Sequence, residues 1–213
     1  MTLKLHAFPL SPRGFKVLAV ANHLGLDYEF CFCDLPKGVQ KQDWFTALNP
    51  NQRMPVLEDG AFKLWESNAI IQYLASKKPG VLAPTDAQGV ADMSRWLYWE
   101  STTWDAACAV LAFERLVKPF LTGAEPDPRE VERGLRGFAF AAGVLEGHLA
   151  GRDYICGDKL SLADFSIGAA LTIADRAQLP LAGYPEIRRW GARMADLPAW
   201  RATMALQAPP VAA

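Results

Sequence analysis

Residues 54–67, MPVLEDGAFKLWES, decide the fold. Apolar and polar residues alternate on both sides of Asp59-Gly60, and Asp-Gly between two such runs is the strongest short-range signal of a β-hairpin. Pro55 stands where a proline is tolerated, at the first residue of a strand. Directly after the hairpin, Ile70, Ile71 and Leu74 fall on one face of a helix spanning about Ser67 to Ser76. Upstream, LKLHAF (3–8) alternates as a half-buried strand does, and YEFCFC (28–33) reads as a second strand. Between them FKVLAVANHLGL (15–26) sets Val17, Val20, Ala21 and Leu24 at helical spacing, with Gly25 as its stop. KGVQKQDWFTALNP (37–50) is polar and irregular, room for a short helix or two. The order is β-α-β-α-β-β-α within residues 1–79.

Composition then changes. KKPGVLAPTDAQGV (77–90) carries two prolines and two glycines and contains a linker, set at 80–88. Beyond it no strand pattern is found, and 89–213 reads as an all-helical bundle. A long helical pattern (91–120) is expected to end at Lys118-Pro119. A second (128–151) is interrupted by four glycines, each unfavourable inside a helix. A third (160–178) has a clear start: Ser161 at the N-cap, Asp164 three residues on to complete a capping box, and Leu160 to staple against Phe165.

The 213 residues are 51% apolar with a formal net charge of −1, enough for a substantial core and without the clustered basic residues of a nucleic-acid-binding face. MTLKLHAFPLSPRG lacks the apolar core of a signal peptide, and no stretch reaches the roughly 18 apolar residues of a membrane helix. A cytoplasmic location is expected. Cys31, Cys33, Cys108 and Cys156 are too irregular for a disulfide framework, and none has zinc spacing to His6, His23 or His148, so no metal is expected.

Three local sequences, in matching order and spacing, narrow the function. NPNQRMPVLEDG (49–60), Glu66-Ser67 within LWESNAIIQYLA (64–75), and SLADFS (161–166) together resemble the cytosolic glutathione transferases; FERLVKPF (113–120) looks most like their phi class or its bacterial relatives. The resemblance implies a thioredoxin-like N-terminal domain, an all-α C-terminal domain contributing a pocket for a hydrophobic substrate, glutathione as co-substrate with no further cofactor, and a homodimer with Trp65 and the helix after it as plausible contacts. It also implies site residues. Ser11 sits just after the first strand, six residues before Val17, as the catalytic serine of the serine-type classes does. Pro55 matches a cis-proline, leaving the Met54 backbone to pair with the cysteinyl unit of glutathione. Ser67 would take the γ-glutamyl carboxylate and Glu66 would face the α-ammonium. Gln40, Lys41 and Arg53 match positions that touch the glycyl carboxylate.

The chemistry is coherent with this. A free thiol is mostly protonated at neutral pH and only its thiolate is a good nucleophile. A hydroxyl donor and the positive end of a helix both favour the anion. Ser11 supplies the first and the helix beginning at Pro12 the second. The residues alone leave a second reading of Ser11 open, an N-cap using its hydroxyl as acceptor. Arg13 departs from the asparagine common in bacterial relatives and could favour an anionic sulfur or lie in solvent. For the electrophile, a small and mostly apolar molecule or a peroxide, Arg13, Trp104 and Phe113 are candidate pocket residues, although an aromatic stripe is more often core. Two other functions compete: a non-catalytic binding or scaffold protein of the same fold, against which Ser11, Glu66 and Ser67 argue, and a glutathione-dependent disulfide reductase, which wants a cysteine where Ser11 stands.

Overall fold

The computed structural model describes residues 2–207. The chain divides into two compact units, one taking in the chain up to Ala83 and resuming at Asp196, the other running Pro84–Ala195.

In the first unit, β1 (Leu3–Ala7) lies between β2 (Tyr28–Phe32) and β3 (Val56–Asp59), with β4 (Phe62–Trp65) at the far edge. β1 and β2 are parallel; β1–β3 and β3–β4 are antiparallel. The hairpin closes through Gly60 and Ala61, one position beyond Asp59-Gly60, with Gly60 at φ 62°. That conformation favours a residue without a Cβ. Helix α1 (Pro12–His23) connects the parallel pair, and Gly25 at φ 59° follows it. A 3₁₀ turn (Val39–Lys41) and α2 (Asp43–Leu48) fill the polar segment, and α3 (Ser67–Ser76) follows β4.

Every residue from Gly14 to Ala21 is buried, because α1 is covered on several sides. One cover is the last helix, α10 (Pro198–Ala205), whose Trp200 meets Phe15 edge-on at 4.7 Å and whose Thr203 hydroxyl accepts from the Asn22 amide at 2.8 Å. The sequence reading put this helix in the 89–213 domain; its packing ties it to the first unit instead. Residues 208–213 of that expected domain lie outside the described residues. On the opposite sheet face Cys33, Phe45 and Val56 form a small core with Val39, Leu48 and Met54 packed on it.

The second unit is helical. α4 (Ala87–Trp99), α5 (Asp105–Ala112) and α6 (Lys118–Thr122) form one continuous run, joined by two π-helical segments, Glu100–Trp104 and Phe113–Val117. Pro119 was expected to end this run and does not. It enters the first turn of α6, where an N–H is dispensable, directly after the wider turns of the π segment. The stop is Gly123 in the left-handed region, φ 69°. α7 (Pro128–Leu149) runs unbroken through its glycines. At Gly134 this has a packing reason: a Cβ would come within 2.9 Å of Leu111. α8 (Leu162–Gly168) begins at the expected capping box and tightens into a 3₁₀ segment (Ala169–Ile173), and α9 (Pro185–Ala195) completes the unit. Among the described residues no helix is long and apolar enough to cross a membrane, and no group of three or more His, Cys, Asp or Glu could hold a metal ion.

Candidate functional site

Sheet register brings distant stretches to one end of the first unit. The end of β1 pairs with the start of β3, His6 opposite Val56, so the segment after Ala7 and the Met54–Pro55 bond leave the sheet side by side. Val56 also faces Trp65, which puts Glu66 and Ser67 at the same end. β2 runs parallel to β1 with Phe32 opposite Ala7, and the Cys33 N–H donates to the Ala7 carbonyl at 3.0 Å, so the chain leading to Gln40 and Lys41 departs there too.

Ser11 is the N-cap of α1 by backbone (φ −83°, ψ 128°), and the Phe15 N–H donates to its carbonyl at 2.8 Å. Its hydroxyl makes no capping hydrogen bond. Of the two readings open for this serine, the cap that spends the hydroxyl is not the one adopted. Pro12 opens the helix, where its missing N–H and fixed φ cost nothing. Gly14 makes the tight entry feasible. A Cβ there would stand 2.5 Å from the Phe8 carbonyl oxygen, and the Ser11 N–H donates to that same oxygen at 3.0 Å.

The Met54–Pro55 bond is cis. Neither the N–H nor the C=O of Met54 has a hydrogen-bond partner among the described residues. The loop before it is organised by Asn49, 2% exposed, which the sequence reading quoted without assigning a role. Its Nδ2 donates to the Arg53 carbonyl at 2.7 Å, and its Oδ1 accepts from the Asn51 N–H and Asn51 Nδ2, both at 3.0 Å. Asn49→Ala strands a carbonyl and an amide in this turn. We expect a loss of about 2 kcal/mol in a urea titration.

Glu66 precedes α3 at φ 71°, ψ 110°, a conformation that side chains with a Cβ rarely adopt and that costs of order 1–3 kcal/mol. Such outliers cluster where a ligand is clamped. Glu66 itself is exposed, and Ser67 beside it is buried at the start of the helix. Gln40 follows Gly38, which is left-handed at φ 72°. The Oε1 of Gln40 is buried without a hydrogen-bond partner among the described residues, while Lys41 and Arg53 are exposed.

The electrophile candidates separate. Trp104 is fully buried and its indole N–H donates to the Ile167 carbonyl at 2.9 Å, so it is a core residue and offers no surface to a ligand. Phe113 is half-exposed and Arg13 exposed. Burial raises the pKa of all four cysteines, Cys33 and Cys156 to about 11 and Cys108 well above its ordinary value; for Cys31 the neighbouring Glu29 adds to it. None is an activated thiolate, as a disulfide reductase would need.

A family profile described as "Glutathione S-transferase, N-terminal domain" matches residues 1–76, and one described as "Glutathione S-transferase, C-terminal domain" matches residues 103–198. The chain belongs to the glutathione S-transferase family. Glutathione S-transferase 3 of Zea mays is 40% identical over 210 residues, covering 95% of this chain and 93% of the maize protein. The crystal structure of glutathione transferase F7 from Populus trichocarpa superposes with a TM-score of 0.89 at 27% identity, covering 97% of this chain and all of that one. A glutathione transferase family member from Pseudomonas fluorescens, solved with two glutathione bound, gives a TM-score of 0.86 at 25% identity, over 95% of this chain and 92% of its own. Plant phi-class and bacterial glutathione transferases are among its relatives, and these homologues are enzymes.

Proposed function

We propose that this transferase binds glutathione at the sheet end described above and holds its sulfur as a thiolate for attack on a small, mostly apolar electrophile. The observation that carries the reading is the convergence of four chain segments at one sheet end, with the Ser11 hydroxyl unspent on its own helix. Ser11 donates to the sulfur, and the α1 N-terminus adds its partial positive charge. The Met54 backbone pairs with the cysteinyl unit as a short added strand. Ser67 and the first turn of α3 receive the γ-glutamyl carboxylate, with Glu66 facing the ammonium. Gln40, Lys41 and Arg53 serve the glycyl carboxylate, Arg53 as a fork. Arg13 is the residue of this unit proposed for the electrophile. In the reaction the thiolate sulfur bonds to an electrophilic carbon, which either expels a leaving group with its electron pair or gives up a π bond whose electrons pass to the far atom, protonated from solvent; the protein's share is proximity and stabilisation of the anion.

The test is ultraviolet absorbance of the bound thiolate across about pH 5 to 9. Bound glutathione should ionise well below the ordinary thiol value of about 8.5. Binding without that shift would replace the transferase reading with a binding protein.

We also propose a two-fold homodimer. β4 is an edge strand, and its Phe62 and Trp65 are 47% and 41% exposed, more aromatic surface than an isolated edge favours. Trp65→Glu should shift the protein toward monomer in sedimentation velocity at micromolar concentration. An unchanged sedimentation coefficient would remove this edge from the interface.

A further inference from the structure

Phe8, Pro9, Leu10 and Ser11 form a tight turn, closed by the Ser11 N–H donating to the Phe8 carbonyl at 3.0 Å. Proline at the second place of such a turn presets its φ. The two commonest turns that accept proline there differ in the orientation of their central peptide, and one of them asks for a positive φ at the third place. Leu10 is not in that region, so the Pro9 carbonyl takes the other orientation. Pro9 is buried, and its carbonyl is met from 198 residues away by the Gln207 side-chain amide, which donates to it at 3.0 Å. Gln207 is delivered by α10: its own N–H donates to the Met204 carbonyl at 3.0 Å and so extends the last turn of that helix. Trp200 and Thr203 seat α10 on α1. The helix therefore grips the chain on both sides of Ser11, at Pro9 before it and at Phe15 and Asn22 after it.

We propose that Gln207 is a positioning residue for Ser11: by holding the central peptide of the 8–11 turn, it fixes where the Ser11 hydroxyl stands relative to the N-terminus of α1. The proposal rests on the reading of Ser11 as donor to the glutathione sulfur. That hydroxyl is one rotatable bond from the backbone, so the backbone of the turn decides its reach. A hydrogen bond weakens steeply as it leaves the line of donor and acceptor, and a turn free to rotate its central peptide would spread the hydroxyl over poor geometries. A glutamine serving only to tie α10 to α1 would add stability and leave the ionisation of bound glutathione as it is.

A double-mutant cycle separates the two roles. The pKa of bound glutathione, from thiolate absorbance, and kcat with a chloronitrobenzene electrophile are measured on wild type, Gln207→Met, Ser11→Ala and the double variant. Methionine is uncharged, similar in length to glutamine and has no proton to donate. Gln207→Met should raise the pKa of the bound thiol by about half to one unit and lower kcat roughly three- to tenfold, each pKa unit being about a factor of ten in thiolate. Glutathione affinity should stay within about twofold of wild type. In the Ser11→Ala background Gln207→Met should move neither quantity, because a residue acting through Ser11 has nothing left to act on. Should Gln207→Met fail to fold, the same cycle with Gln207→Asn decides, since its amide is one carbon short of Pro9. An unshifted thiol pKa in the Gln207 variant, or a loss of equal size in both backgrounds, overturns the proposal and leaves the glutathione site standing. Wild type whose bound glutathione ionises no lower than free glutathione overturns the transferase reading and the proposal together.

Discussion

Ser11→Ala should lower kcat roughly 10- to 100-fold and raise the pKa of bound glutathione by about one to two units, with the melting temperature unchanged. A hydrogen bond to a charged group contributes about 1.5–3 kcal/mol, and each pKa unit corresponds to about 1.4 kcal/mol, which sets both ranges. Thermal stability should hold because the Ser11 hydroxyl makes no capping bond. Replacing a serine that does cap costs about 1 kcal/mol. The variant should keep some activity, since α1 still presents its N-terminus to the sulfur and the rest of the site still positions it. Glutathione affinity should change less than turnover, because the lost contact is one made to the ionised sulfur. The measurement is steady-state kinetics with a chloronitrobenzene electrophile, beside thermal melts and the thiolate titration. A variant with full activity and a lowered melting temperature would return Ser11 to the ordinary cap.

What could be read from the sequence was what short-range chemistry dictates. The hairpin and the helix Ser67–Ser76 came from a turn dipeptide and a periodicity; the helix is where its signal put it, and the hairpin forms with its turn one position on, at Gly60 and Ala61. The capping box at Ser161 is equally local. Pro119 misled because its effect depends on the turn before it, and a π segment is not written in a hydrophobic pattern. The last helix was assigned by chain order, whereas its place is decided by Trp200 and Thr203 meeting Phe15 and Asn22, a long-range fact.

The same division holds at the site. Ser11, Met54, Pro55, Glu66 and Ser67 lie in contiguous motifs, which is how the sequence offers them as candidates. Gly14 and Asn49 could not be assigned a role in this way, since their roles depend on what stands opposite. Gly14 is needed because the Phe8 carbonyl comes close, and Asn49 because the Arg53 carbonyl and the Asn51 N–H face it. A glycine inside a helical pattern does signal a packing reason, and NPNQR does contain Asn49, so both had a faint trace. Trp104 and Phe113 show the limit from the other side. Both fall on one long helical pattern, and only the packed structure makes one of them core and the other half-exposed.

Asp164→Asn should lower the stability of the protein by about 3 kcal/mol, although it alters a single atom far in sequence from Ser11. The Asp164 side chain is fully buried, and every partner it has is a donor. Oδ1 accepts from the Ile155 N–H at 2.8 Å and the Trp190 indole N–H at 3.0 Å; Oδ2 accepts from the Ser161 N–H at 2.9 Å and the Ser161 hydroxyl at 2.8 Å. A carboxylate is acceptor-only and fits four donors, two on each oxygen. An amide offers one oxygen and one NH₂, so one pair of donors must face another donor whichever way the group turns. The less damaging choice directs the NH₂ toward Ser161, whose hydroxyl can rotate to accept it. The Ser161 N–H is still left buried and unanswered, at about 1–3 kcal/mol, and the surviving bonds lose the strength that ionisation lends them. Asp164→Ala, which empties the place altogether, should cost more, about 3–5 kcal/mol. Ser161→Ala should cost only about 1 kcal/mol, because the main-chain N–H keeps its acceptor. Denaturation should therefore find Asp164→Ala the most damaging of the three substitutions, Asp164→Asn next and Ser161→Ala the least. The thermal midpoint of the Asp164→Asn variant should fall by roughly 10 °C. An Asp164→Asn protein as stable as wild type would mean that one of the four donors is not aimed at the carboxylate, and that the link from α8 to the 155 loop and to Trp190 of α9 is held by packing alone.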